Sequence, residues 1–194
     1  MIQYVLKLKI KLFLVLVMNK LNFSQFENDL YKITKEVFES FQEKKGTESI
    51  CGFALYSDES ASSISISLNT RDHLDELMLA NPDDKQYYKW SPAEWKYEGL
   101  ESNRMNELSR KLFDVATEIE ESEFVKFRDQ VFDCCVRVLM QMKGEKVFSS
   151  TDEEFVLMFS VSDYSDIASE IKWVNTLNDE DLSKEFEEWI TNEG

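Results

Sequence analysis

Five large aromatic side chains, Tyr87, Tyr88, Trp90, Trp95 and Tyr97, fall within eleven residues around Pro92. Each brings roughly 150–250 Å² of surface to be covered, so the segment must build either a corner of the core or a recognition surface. Within it, Ser91-Pro92-Ala93-Glu94 has the spacing of a capping box: serine at the cap, proline in the first turn, and a glutamate placed to return the bond. In one reading, Trp90 and Trp95 plug the end of a sheet while the tyrosines keep their hydroxyls near water. In the other, Tyr87, Tyr88, Trp90, Ser91, Glu94, Trp95 and Tyr97 line a groove containing one carboxylate, as binding hot spots do. Both readings stand on the sequence alone.

The flanking patterns are simpler. Ser24-Gln25-Phe26-Glu27 fits a capping box, and Phe26, Leu30, Ile33, Val37 and Phe41 follow as one helical stripe. That helix is expected to stop at Lys44-Lys45-Gly46, with Gly46 in the left-handed cap. Ile50–Tyr56 is an apolar strand and Ser63–Leu68 alternates strictly, so residues 50–68 predict an antiparallel hairpin whose serine face is wet. Thr70 is placed to cap a short helix over 71–79, ended by Asn81-Pro82. Met105, Leu108, Leu112, Val115 and Ile119 predict a helix. So do Phe124, Phe127, Val131, Cys134, Val138 and Met142. Phe155–Val161 reads as a strand buried on both faces, and 165–177 and 179–190 as two acidic amphipathic helices, the first capped by Asp163 or Ser165. With only 5 glycines and 2 prolines, long helices are favoured over many tight turns. The expected fold is α+β: a small, mostly antiparallel sheet (hairpin 50–68, strand 155–161) packed with several amphipathic helices.

No linker or repeat divides residues 18–194, which are expected to form one domain. Residues 1–17 differ. Leu6–Leu12 alternates lysine with aliphatic residues, and an apolar run to Met18 follows. Lysines interrupt the stretch and no small-residue cleavage site follows, unlike a signal peptide. The run is also too short to span a bilayer. Met18 is the expected start, with 1–17 an overextended reading.

Charge narrows the function. The chain carries 38 acids against 22 bases, a net of −16, and residues 150–194 hold 13 acids against Lys172 and Lys184. This argues against nucleic acid and anionic membrane surfaces; the charge is read either as a means of solubility or, in the sharper reading, as a surface for a basic protein partner. Three cysteines, two of them adjacent, read as small buried residues of a reducing cytoplasm rather than a disulfide framework. A lone histidine, His73, and the absence of paired cysteines argue against zinc. Asp58-Glu59, Asp83-Asp84 and Asp152-Glu153-Glu154 lack EF-hand spacing and read as solvated turns. No glycine-rich phosphate loop is present. No catalytic residue, metal or cofactor is therefore assigned, and the oligomeric state is unspecified.

Four strings taken together resemble a known family: Gly52-Phe53-Ala54-Leu55-Tyr56-Ser57-Asp58; Leu68-Asn69-Thr70; Tyr88-Lys89-Trp90-Ser91-Pro92-Ala93-Glu94-Trp95; and Phe155-Val156-Leu157 with Ser162-Asp163. In that order they are similar to the domain-of-unknown-function 4303 family, over most of the chain from about Asn22. The family has no established activity or catalytic residues to carry over. Its members are small and mostly bacterial, and some resemble immunity proteins that neutralise the toxins of neighbouring cells. The resemblance and the charge together imply a cytoplasmic, non-enzymatic interaction module, an immunity-type inhibitor of a basic toxin being its sharpest form. The alternative is a small-molecule binder or enzyme using the Trp90–Trp95 groove with Glu94.

Overall fold

The computed structural model describes residues 21–100 and 103–192, so the segment 1–17 lies outside the described residues. In chain order the elements are α1 (Phe23–Lys45), β1 (Ile50–Asp58), β2 (Ile64–Thr70), α2 (Arg71–Ala80), α3 (Lys85–Trp90), a 3-10 turn (Pro92–Glu94), α4 (Asn103–Glu118), α5 (Glu121–Gly144), β3 (Val156–Ser162), α6 (Ile167–Leu177) and α7 (Glu180–Asn192). The fold is α+β, as the periodicities predict. The sheet has the order β2-β1-β3. The hairpin β1–β2 is antiparallel with Leu55 opposite Ile66, and β3 joins parallel to β1 with Leu55 opposite Phe159. The sheet is therefore mixed. Strand pattern does not encode this: a continuously apolar strand suits either direction.

Alternation sorts the sheet residues onto two covered faces. Phe53, Leu55, Ile66, Leu68, Leu157 and Phe159 face the larger core, where α1, α4 and α5 bury their stripes. Ala54, Val156 and Met158 face a second cluster closed by Trp90, Trp95, Val174 of α6 and Phe186 of α7. The serine face of β2 is thus not wet along its length: Ser63 is exposed, but Ser67 is fully buried. The small serine side chain leaves room beside Ala54, its partner across the hairpin, for the helical layer to come down on this face.

Both edges of this three-stranded sheet have backbone groups taken up by other parts of the chain. On the β2 side, Tyr97 exchanges backbone hydrogen bonds with Leu68 (3.0 and 3.2 Å), and the Leu100 amide donates to the Ile66 carbonyl. Ser109 of α4 accepts from the Ile64 amide and donates to its carbonyl, both at 3.1 Å. On the β3 side, the Asn178 side chain accepts from the Leu157 amide (3.0 Å) and donates to its carbonyl (2.7 Å). At Leu157 a primary amide does what a neighbouring strand would do, which interrupts the template for edge-to-edge pairing.

Several termini differ from the expected caps. Asn22, not Ser24, caps α1, its Oδ1 accepting from the Gln25 amide at 3.1 Å. The capping-box pattern fitted two residues late because both positions offer a cap-competent side chain. Gly46 is right-handed at φ −60°, so glycine is not there for a left-handed turn. A Cβ on it would lie 2.9 Å from the Gln42 carbonyl oxygen, and close approach is its role. Thr70 occupies the cap position of α2 without a side-chain bond. Asp166, rather than Asp163 or Ser165, caps α6 by accepting from the Ser169 amide.

The carboxylates expected in solvated turns are partly built in. Asp152 pairs with Arg71 at 2.7 Å and accepts from Ser49. Asp58 accepts from the Ser60 and Ser62 amides and from the hydroxyls of Ser60, Ser62 and Ser63, tying off the hairpin turn. Burial alone would raise its pKa, but the hydroxyl and amide donors outweigh burial and bring it from 3.8 down to about 2. Its contribution to stability is then fully present above pH 3.8 and is lost as the pH falls towards 2. Asp58→Ala is expected to lower the urea midpoint at neutral pH and to flatten the stability slope between pH 4 and pH 2 (about the window of the shift). An unchanged slope in that variant would contradict the serine cage.

Candidate interaction surface

Three short elements carry the aromatic segment, and they divide it between core and surface. Trp90 closes α3 at 2% exposure and packs edge-on against Phe186 at 5.1 Å, its Nε1 donating to Gln86 Oε1 at 3.0 Å. Lys89 beside it pairs with Glu185 at 2.6 Å, fastening α3 to α7. Trp95 is 3% exposed, with its six-membered ring against Gly52. A Cβ at Gly52 would sit 3.0 Å from that ring, so glycine in β1 is what lets the indole lie on the sheet. The Trp95 Nε1 has no hydrogen-bond partner among the described residues. Both indoles are core residues, as in the first of the two readings, and neither ring is open to a ligand as the groove reading needs.

Ser91 is half-buried and makes no side-chain cap bond, so the second capping box does not form. Glu94 instead accepts from the Tyr87 hydroxyl at 3.0 Å. The three-residue 3-10 turn is too tight for the box: the Glu94 amide bonds the Ser91 carbonyl at 2.9 Å, not its hydroxyl. The Glu94 hydrogen bond is also the leading cause that raises the pKa of the Tyr87 phenol. Tyr87 is 40% exposed and packs edge-on to the half-buried Tyr88 at 5.4 Å. Tyr97 has left this group for the sheet edge, where its hydroxyl donates to Glu48 and its ring meets Phe41. Of the seven candidate residues, Tyr87, Tyr88 and Glu94 therefore share a surface. Trp90 and Trp95 support it from below, and Ser91 and Tyr97 belong to the backbone turn and the sheet edge.

A further exposed apolar residue lies on the neighbouring helix. Leu79, near the end of α2, is 85% exposed. α2 offers Leu74, Leu77, Met78 and Leu79, but a ten-residue helix on a sheet buries one stripe, and Leu74 takes it. The excess of leucine over one stripe was the available signal. α2 packs against α3, and exposed Asp72, Asp75, Glu76, Asp83, Asp84 and Glu94 lie on the same two helices, their connecting turn and the 3-10 turn. His73 donates from Nε2 to the Glu94 carbonyl at 3.3 Å and ties α2 to that turn.

The cysteines are all buried and unpaired. Burial pushes the thiols of Cys51 and Cys134 up to about 12, and that of Cys135 well above its usual value. None of the three is held as a thiolate nucleophile. Among the described residues, no cluster of His, Cys, Asp and Glu is placed to hold a metal ion, and no helix is long and apolar enough to cross a membrane.

No curated protein and no solved structure matches the chain. The family resemblance read from the Tyr88–Trp95 string and the three strand strings is matched by a family model over residues 30–179. That span runs from α1 to the α6–α7 corner and includes the whole sheet and the aromatic segment. The chain belongs to the family described as Domain of unknown function (DUF4303).

Proposed function

We propose that this protein is a cytoplasmic protein-interaction module, an immunity-type inhibitor that covers a basic toxin. The observation that carries the reading is the pairing of Leu79 and Tyr87 as exposed apolar groups with six exposed carboxylates on the α2–α3 face. Exposed apolar groups carried on the same two packed helices as exposed charges are the composition a recognition surface draws on. The acids would steer a cationic partner to the face, and the leucine and tyrosine would supply the desolvated anchor. The C-terminal acids, including exposed Glu180, Asp181, Glu187 and Glu188 of α7, add to the long-range field. Toxins that cut nucleic acid are commonly basic because they must hold phosphates, which makes them suitable targets for such a field.

The test begins with affinity capture from native cells, followed by kinetics on the purified partner. The partner is expected to be basic, and its association rate to fall steeply between low and physiological salt while dissociation changes little. The double substitution Leu79→Ala, Tyr87→Ala is expected to weaken binding by about 10- to 100-fold. An association rate indifferent to salt would contradict the reading.

A further inference from the structure

A cavity of about 360 Å³ opens where the end of α5, the turn after it and the α6–α7 corner meet the start of β3. It belongs to a different part of the molecule from the α2–α3 face. Phe148, Phe155, Leu157, Leu177 and Leu182 give it apolar walls, and two exposed lysines, Lys143 and Lys146, line it as well.

Ser149 adds a hydroxyl to the lining, and the Asn178 and Asp179 side chains there are already engaged. Both ends of the Asn178 amide are held by Leu157, and the Asp179 carboxylate accepts from the Leu182 amide at 3.0 Å as part of the α7 start. Lys143 Nζ donates to the Leu177 carbonyl at 2.7 Å, which fixes the ammonium against the cavity wall while two of its protons stay available. No carboxylate among the described residues pairs with Lys146. Its backbone is left-handed at φ 60°, a conformation uncommon for a lysine.

We propose that this cavity binds a small amphipathic monoanion, a carboxylate on an apolar body. The volume is in the range of small-molecule sites, and an apolar chamber with a few convergent polar groups is their usual form. Charge selects the ligand class: the two ammoniums of Lys143 and Lys146 outnumber the one carboxylate, Asp179, which turns an oxygen to the Leu182 amide. In a chain of net charge −16, this locally cationic, apolar cavity runs against the overall field. The apolar walls take the ligand's body, at about 0.8 kcal/mol per buried methylene, and the lysines take its carboxylate.

Calorimetric titration of the full chain with octanoate and with octanol tests this. Octanoate is expected to bind at a single site and octanol about tenfold more weakly, the worth of a charge-assisted hydrogen bond. The double variant Lys143→Gln, Lys146→Asn keeps a donor for Leu177 and an asparagine suited to the left-handed backbone. It is expected to lose about tenfold in octanoate affinity and to bind octanol unchanged. Lys184→Gln, on α7 outside the cavity, is expected to change neither. The comparison of the two probes on the unaltered protein does not depend on any variant folding. Absence of saturable octanoate binding, equal affinity for octanol, or an equal loss in Lys184→Gln would overturn the assignment. None of these results bears on the α2–α3 face, so the two proposals fail separately.

Discussion

Trp95→Ala is expected to lower the free energy of unfolding by about 3–5 kcal/mol, whereas Trp95→Phe should change it by no more than about 1 kcal/mol. The asymmetry follows from what the indole does. Its ring covers Gly52 in β1, a position with no side chain of its own, and alanine would leave that part of the sheet facing a hole. Phenylalanine keeps most of the contact. It also removes a buried N–H that has no acceptor among the described residues, and an unmatched donor of that kind costs about 1–3 kcal/mol. Both substitutions relieve the unmatched donor, but only in Trp95→Phe is the lost contact small enough for that relief to offset it. Urea denaturation of the three proteins decides it. A phenylalanine variant as unstable as the alanine variant would mean that the indole nitrogen is held in place by a bond.

Asn178→Ala should cost about 2–4 kcal/mol and make the protein prone to associate through β3. The Asn178 side chain makes three hydrogen bonds: two to the Leu157 backbone and one, at 3.0 Å, to the Val174 carbonyl. Leu157 is buried, so its amide and carbonyl cannot turn to water when the partner is removed. Asn178→Asp separates the two halves of the effect. It keeps an acceptor for the amide but sets a carboxylate oxygen against the carbonyl, and it should be at least as damaging as alanine. The check is a denaturation midpoint together with light scattering at rising protein concentration. A midpoint unchanged in Asn178→Ala would show that the β3 edge is protected by some other means.

The sequence made the helices and the hairpin legible because each buries one stripe or one face, and periodicity reports that directly. Phe26, Leu30, Ile33 and Phe41 are all buried, and so are Met105, Leu108, Leu112 and Val115. The direction of β3 was hidden, since Val156–Val161 is apolar on both faces whichever way it runs. Burial of Ser67 was hidden for a related reason: serine is small enough to be covered, and what covers it comes from residues far along the chain. The aromatic segment showed its importance but not its sides. Trp90 and Trp95 go inward because Phe186 and Gly52 receive them, and neither of those residues lies within 87–97; Tyr87 stays out with its hydroxyl on Glu94, a contact inside the segment that its spacing alone does not single out. The cavity at Lys143 and Lys146 joins α5, β3 and the α6–α7 corner, which no local pattern could bring together.

In the proposed function, Trp90 and Trp95 pack beneath helices whose exposed Leu79, Tyr87 and acids perform the recognition. Association kinetics of the captured basic partner with Leu79→Ala, Tyr87→Ala and, separately, with Trp95→Phe test it most directly. The surface pair should bind about 10- to 100-fold more weakly at unchanged stability, and Trp95→Phe should bind as the parent does. Undiminished binding by the surface pair, or association that ignores ionic strength, would contradict it.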